Sequence, residues 1–286
     1  MNQSSKKRML AQKLAFAGMS LVASLTVIFI IMIVVYIFSM GGSAISFEFI
    51  FSAPYDGMRS GGILPAIVGT FYLTVGTAVL AVPLGLGAAI YLSEYAPDNQ
   101  MTRIVRIAIT NLSGIPSVVY GLFGLGLFVL FLGFGTSILA ASMTLAIMTL
   151  PVIISTAEEA LRSVPQSFRV VSISLGGTRW QTIRKIVLPE AMPGILTGVI
   201  LGLERAAGET APIMFTGAAF FLPRLPTALT DATMALPYHL FVISTQVPGM
   251  PIQIQFGTAL VLLVFVLGMN LIASIIRSRA RARRQW

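Results

Sequence analysis

The chain has 286 residues, 56% of them hydrophobic and only 10% charged, which is too little charge for a water-soluble surface and makes a membrane the natural solvent. With no cysteine there can be no disulfide framework, thiolate metal site or cysteine nucleophile. The formal net charge of +9 sits in short clusters between apolar runs, with no continuous basic face for nucleic acid.

A bilayer core takes roughly 20 apolar residues per helix. Stretches of that length free of Asp, Glu, Lys and Arg predict six spans, at about 14–38, 63–92, 111–133, 136–157, 194–216 and 254–276. The first exceeds the roughly 7–15 residues of a signal-peptide core and lacks a convincing small-residue cleavage pattern, so it reads as a retained anchor. No charge occurs between Arg106 and Glu158, a distance that holds two spans with a break at Gly133, Phe134, Gly135 and Thr136. The fifth span is the exception, since it carries Glu204, Arg205 and Glu209. The chain therefore reads as one all-α, polytopic membrane domain over 1–286.

Orientation follows from Lys and Arg, which concentrate in cytoplasmic loops. Sixteen of the 19 fall on one side: Lys6, Lys7, Arg8 and Lys13, the pair Arg103 and Arg106, the loop from Arg162 to Lys185, and the C-terminal run from Arg277 to Arg284. Arg59 and Arg224 fall on the other, and Arg205 lies within the membrane. Both termini are thus expected in the cytoplasm and the C-terminal arginines serve as an anchor. None of Lys6, Lys7, Lys13 or Lys185 follows a glycine, so a Walker phosphate cradle is missing and the chain is not expected to be an enzyme. The sole histidine, His239, falls in an outer loop without nearby acidic or histidine residues, so no metal is expected. The outer segment 217–253 carries Pro223, Pro226, Pro237, Pro248 and Pro251, which predicts short helices and turns.

The segment 158–193 is long for a connector between packed helices. Pro165 suits a helix start, and Gly176 with Gly177 suits its end. Thr178 and Gln181 make a capping box for a second short helix, Arg179 to Leu188, ended by Pro189. The outcome is a cytoplasmic helical hairpin whose Trp180, Ile183 and Val187 form an apolar stripe beside Arg184 and Lys185. A docking surface explains this pattern, and so does a hairpin lying on anionic lipid.

In the hairpin, Gly176, then nine residues, then Ile186-Val187-Leu188-Pro189 resembles the loop signature of ABC importer permeases, with Val170-Val171-Ser172 where that signature opens with Glu-Ala-Ala. The resemblance implies the six-helix architecture of type I ABC importer permeases. It also implies that Gly176, Thr178, Arg179, Trp180, Ile186, Leu188 and Pro189 belong to a loop that seats on an ATPase subunit, where ATP and Mg would be bound.

In the fifth span Gly194, Gly198, Gly202 and Ala206 recur every four residues and let another helix approach closely. At 100° per residue Arg205 and Glu209 share the packed side and are neighbours at i and i+4, so they are expected to pair. Arg205 would lie roughly 16 Å deep, where a charge costs about 2.5–3.5 kcal/mol on insertion scales. Such a charge fits either an anion path, in which the guanidinium meets oxyanion oxygens, or a pair that merely locks two helices. Pro212 is expected to kink the helix just beyond the charges, and Glu204 points to the opposite side.

The run Arg205-Ala-Ala-Gly-Glu-Thr-Ala-Pro212 resembles the fifth-span motif of phosphate importer permeases of the PstA type. So do Gly61-Gly-Ile-Leu-Pro-Ala-Ile-Val-Gly-Thr70, Pro116-Ser-Val-Val-Tyr-Gly121 and Arg179-Trp-Gln181. The resemblance implies phosphate passage at Arg205 and Glu209, with the adjoining Thr210 counted in the same path. Implied partners are a second homologous permease, two copies of an ATPase subunit and a periplasmic or extracellular phosphate-binding protein. The alternative is a self-contained ion-coupled secondary transporter or channel for a small anion, with the three charges as a relay.

Overall fold

The structure is a computed structural model that describes residues 3–282; Arg283 and Arg284 of the basic run lie outside the described residues. In chain order it contains α1 (Gln3–Gly41), α2 (Phe47–Phe51), a two-stranded hairpin of β1 (Pro54–Tyr55) and β2 (Ser60–Gly61), and α3 (Leu64–Ile90). Then come α4 (Gln100–Leu112), α5 (Ser117–Gly124) and α6 (Ile138–Arg162), followed by the two short limbs α7 (Gln166–Ser174) and α8 (Arg179–Thr182). The chain closes with α9 (Leu188–Gly208), α10 (Ala211–Thr216), α11 (Leu236–Thr245) and α12 (Ile252–Ala282). Five of the described helices are long and apolar enough to cross a membrane, and α4 with the segment 117–131 forms a bent pair that makes a sixth when counted as one span.

At the centre α3, α6 and α9 pack on one another. Ser137 caps α6, its hydroxyl accepting from the Ala140 N–H at 3.1 Å. The α6 face turned inward is small and apolar or bears threonines: Ala141, Leu145, Met148, Thr149 and Ile153 are all buried. The hydroxyls of Thr144 and Thr156 donate to their own helix one turn back, which satisfies them without water. By contrast α1 packs along α12 and leaves most of its side chains exposed, as an apolar helix facing lipid does.

The end of the bundle away from the α7–α8 hairpin is closed by a cap. Phe49, Met58, Ile63, Met234, Leu236, Val242 and Ile243 form its core. Thr70 Oγ1 near the start of α3 accepts from the Leu236 N–H at 2.8 Å, and Arg59 donates to the Pro248 carbonyl at 2.8 Å. The segment 217–253 thus contains short structure, as its prolines predict, yet it is no loose connector. His239 lies on the buried helix α11 rather than in a loop. In the loop before it, Asp231 accepts from the N–H groups of Thr227 and Ala228 at 2.8 and 3.1 Å and from the Thr227 hydroxyl. These donors hold its carboxyl below the usual aspartate range.

Three sequence expectations need correction. The third span, set at 111–133, is not one rod: α4 and the segment 117–131 meet at 101°. Pro116 excludes helix at Ile115, Gly114 loosens the turn, and the Tyr120 hydroxyl donates to the last α4 carbonyl, Leu112, at 2.8 Å. Secondly, Pro189 does not end the second hairpin helix. Arg179 to Gly208 runs as one helical rod of 30 residues, because a π-helical turn at Ile183–Val187 precedes Pro189 and leaves it in the first turn of α9, where a missing N–H breaks no helical bond. Thirdly, the apolar stripe splits. Ile183 and Val187 are buried in the bundle, whereas Trp180 stays exposed.

Candidate functional site

The small residues of α9 do what their spacing predicts. A side chain at Gly198 would run into Thr156, and one at Gly202 into Ile153, so α9 lies directly on α6. That contact fixes the rotation of α9 and with it the placement of Arg205 and Glu209. Arg205 Nε donates to Glu209 Oε1 at 3.3 Å, with the Arg205 side chain 36% exposed and that of Glu209 17%. Arg205 Nη1 and Nη2 have no hydrogen-bond partner among the described residues, which leaves two pairs of donors free for an oxyanion.

The break in α9 falls earlier than expected. Helix ends at Gly208, and Glu209 has extended backbone, φ −74° and ψ 136°. Thr210 then opens α10, with Pro212 in its first turn. Pro212 therefore begins a new helix instead of kinking the old one, and the break sits on Glu209 and Thr210 themselves. The α4–α5 break lies across from it. Gly121 of α5 rests against Pro212 and Phe215, and Tyr120 shares a core cluster with Ala206 and Ile213. Two interrupted helices meet here, so the unwound backbone of each is covered by protein.

On the cap side of this pair the chain is closely packed. A cavity of about 10 Å³ remains beside Glu209, bordered by Thr70, Thr74, Ala207, Ala235 and Pro237. That is room for one water at most and none for a tetrahedral oxyanion. Glu204 faces the other way, toward α12, where the Arg277 charge acts on it. Its Oε1 is buried without a hydrogen-bond partner, and the sequence alone could assign it no neighbour.

The hairpin carries the second site. Thr178 accepts from the Gln181 N–H at 3.2 Å while the Gln181 side chain accepts from the Thr178 N–H at 2.9 Å, the expected capping box. Gly176 has φ +85°, a conformation that glycine adopts without strain. Trp180, Val171 and Leu175 are exposed, and a cleft of about 590 Å³ opens between the limbs, lined by Phe168, Gln181, Lys185 and Ile186 among others. Leu188 is half-buried and Pro189 exposed where the hairpin joins α9. Apolar exposure beside Arg184 and Lys185 at a bundle end marks an interaction surface.

Sequence reasoning missed the ion pairs under the hairpin. Arg106 Nε donates to Glu158 Oε1 at 2.8 Å, and Arg162 Nη2 approaches the same oxygen at 3.1 Å. Arg169 Nη2 meets Glu94 Oε1 at 2.6 Å. Arg106 of α4, Glu158 of α6, Arg169 of α7 and Glu94 in the helical turn at the end of α3 come from different elements, so no local spacing announces them. The one signal was that Glu94 and Glu158 are the acids nearest the ends of their spans.

Residues 81–284 match the family described as binding-protein-dependent transport system inner membrane component. The chain belongs to this family. The permease is 34% identical over 280 residues to the "Probable ABC transporter permease protein YqgI" of Bacillus subtilis (strain 168), covering 93% of this chain and 95% of that one. It is 37% identical over 227 residues to the phosphate transport system permease protein PstA 1 of Mycobacterium tuberculosis (strain ATCC 25618 / H37Rv), covering 79% and 73%. Among solved structures, a chain of a bacterial ABC transporter involved in the import of alginate superposes with a TM-score of 0.67 at 15% identity, over 97% of the permease and 99% of that chain. A chain of the methionine transporter MetNI in an inward-facing conformation superposes with a TM-score of 0.62 at 18% identity, over 76% and 95%. The fold is thus that of type I ABC importer permeases, and the chain is an ABC importer permease subunit. A self-contained secondary transporter is set aside by this membership.

Proposed function

We propose that the permease forms, with a second homologous permease, the path for inorganic phosphate through the inner membrane, with Arg205, Glu209 and Thr210 lining it. The observation that carries the reading is the Arg205–Glu209 pair at a helix break, with the guanidinium one-third exposed and its terminal donors free. A tetrahedral oxyanion accepts from such a fork in bidentate fashion. Glu209 holds the arginine and, by its own charge, keeps the anion from being bound too tightly to leave. A helix lock alone would bury both partners and leave no donors free. The relatives named for phosphate transport support the choice of anion.

In this reading both termini are cytoplasmic and the α7–α8 hairpin points into the cytoplasm. Gly176, Thr178, Arg179, Trp180, Ile186, Leu188 and Pro189 form and frame a surface that seats on one of two ATPase subunits, which bind ATP and Mg and supply the energy. A periplasmic or extracellular phosphate-binding protein delivers the anion to the cap side. The permease itself binds no cofactor. Transport in this reading is by alternating access, driven by ATP-dependent closure of the ATPase pair and passed to the bundle through the hairpin.

The test is uptake of radiolabelled phosphate by proteoliposomes holding this chain with its partner permease, ATPase and binding protein. ATP-dependent uptake that unlabelled phosphate competes for and sulfate or methionine does not is the expected result. ATP-dependent uptake of another solute without phosphate would refute the substrate, and uptake without the ATPase would refute the energy source.

A further inference from the structure

At its hairpin end α3 passes into a π-helical turn, Tyr91–Tyr95, of the kind that recurs at functional sites. Glu94 in this turn is buried and held from both limbs of the hairpin. Arg169 of α7 donates to its carboxylate twice, from Nη2 at 2.6 Å and from Nε at 3.1 Å. The same guanidinium donates to the carbonyls of Leu161 at 2.9 Å and Val164 at 2.7 Å, where α6 turns into α7. Arg179 of α8 donates to the main-chain carbonyl of Glu94, and its guanidinium lies 4.9 Å over the Tyr95 ring. The limbs are themselves joined by the hydroxyls of Ser172 and Thr182 at 2.7 Å. One residue therefore grips both limbs, and a bidentate pair of this burial cannot slide without losing its charge-assisted bonds, although a polar cleft of about 630 Å³ opens beside it.

The far end of α3 is anchored just as closely. Thr70 binds the first N–H of α11, and Gly69 packs against Met234 and Thr233 so tightly that a side chain has no space there. Thr70 and Glu94 stand about 36 Å apart along the helix. Among the described residues α6 makes a second such connection, its Ile138 and Leu139 N–H groups donating to the Asp231 and Leu229 carbonyls and its Leu161 carbonyl accepting from Arg169, but of the two helices α3 carries the residue, Glu94, that both limbs hold.

We propose that Glu94 is the positioning residue that turns α3 into a lever: displacement of the hairpin is passed through Glu94 to α3, and through Thr70 and Gly69 to α11, which uncovers the path beside Glu209. This inference rests on the reading that the hairpin seats on an ATPase. Its substance is that the clasp serves transmission of motion and not only folding.

The absence of cysteine from the chain permits a clean reporter. Ala235, 1% exposed at the small cavity, is replaced by cysteine, and the complete importer in proteoliposomes is treated with a membrane-impermeant maleimide, with labelling read on this chain alone. With ATP and vanadate the A235C background is expected to label at least tenfold faster than at rest. Adding Glu94→Gln is expected to keep ATP hydrolysis within twofold while labelling stays at the resting rate. Arg169→Lys, which keeps the charge but gives up the fork, is expected to fall between. Labelling of Glu94→Gln equal to the background, or joint loss of hydrolysis and labelling, would overturn the proposal. Failure of both variants to assemble would assign the clasp to folding and overturn it too. Transport of phosphate is not read in this assay, so an error about the substrate leaves the result standing.

Discussion

Replacing Arg205 by glutamine separates a path arginine from a structural one. The pair with Glu209 is a single contact at 3.3 Å, and one partner is 36% exposed. Pairs of that kind contribute about 0.2–1 kcal/mol once solvent screening is allowed for. At about 2–4 °C per kcal/mol for a chain of this size class, Arg205→Gln should lower Tm by no more than about 4 °C. Loss of a hydrogen bond from a charged donor to the passing anion costs about 1.5–3 kcal/mol, a roughly 10- to 150-fold fall in phosphate uptake. The assay pairs thermal unfolding of the purified complex with ATP-dependent uptake at matched protein. Uptake within twofold of native would refute the path role. A Tm drop beyond about 10 °C with loss of the complex would show that the pair locks the fold, and the donor argument would fail.

Other expectations are independent of that one. Gly198→Val should destabilise by about 2 kcal/mol or more through overpacking on Thr156, whereas Gly208→Ala, with open space around it, should be neutral; both are read from thermal unfolding. His239 lies outside the spanning helices, and burial pushes its imidazole down from 6.5 to about 4. Between those values the unfolded chain binds a proton that the folded one refuses, so stability falls as pH drops, by about 1 kcal/mol between pH 7.5 and 5.5; His239→Leu should flatten that part of the pH profile. Asp231, lowered by its Thr227 and Ala228 donors, holds the 227–231 turn above the usual aspartate range and releases it as pH falls through the lowered value. Asp231→Ala should therefore speed amide exchange at Thr227 and Ala228 at neutral pH. Trp180→Ala and Leu175→Ser, both at exposed positions, should leave Tm unchanged and weaken ATPase binding at least tenfold, measured by co-purification.

Much of this was legible in the residues because the solvent is simple. Apolar length marked where the long helices lie, four-residue glycine spacing showed that the fifth packs closely on another helix without saying which, and i,i+4 geometry paired Arg205 with Glu209. Hydropathy could not see that the third span bends by 101°, because Ser113, Gly114 and Pro116 are as uncharged as their neighbours. Nor could a proline rule tell that Pro189 continues a helix and Pro212 starts one; that depends on a π-helical turn before the first and on extended backbone at Glu209 before the second. Glu94 and Arg169, 75 positions apart, are joined only by tertiary structure.

The isolation of α1 bears on how the chain is built during synthesis. It emerges before the other helices described, yet the helix it packs on, α12, is made after them. Until then it must remain in lipid without a protein neighbour, which its uninterrupted apolar surface permits. Helix α9 has no such freedom. With three ionisable side chains it cannot rest unaided in hydrocarbon, so α6, already threaded, has to receive it as it leaves the translocon. A substitution that loosens α6 against α9 should thus reveal itself as failed insertion and degradation of the nascent chain, before any question of transport arises.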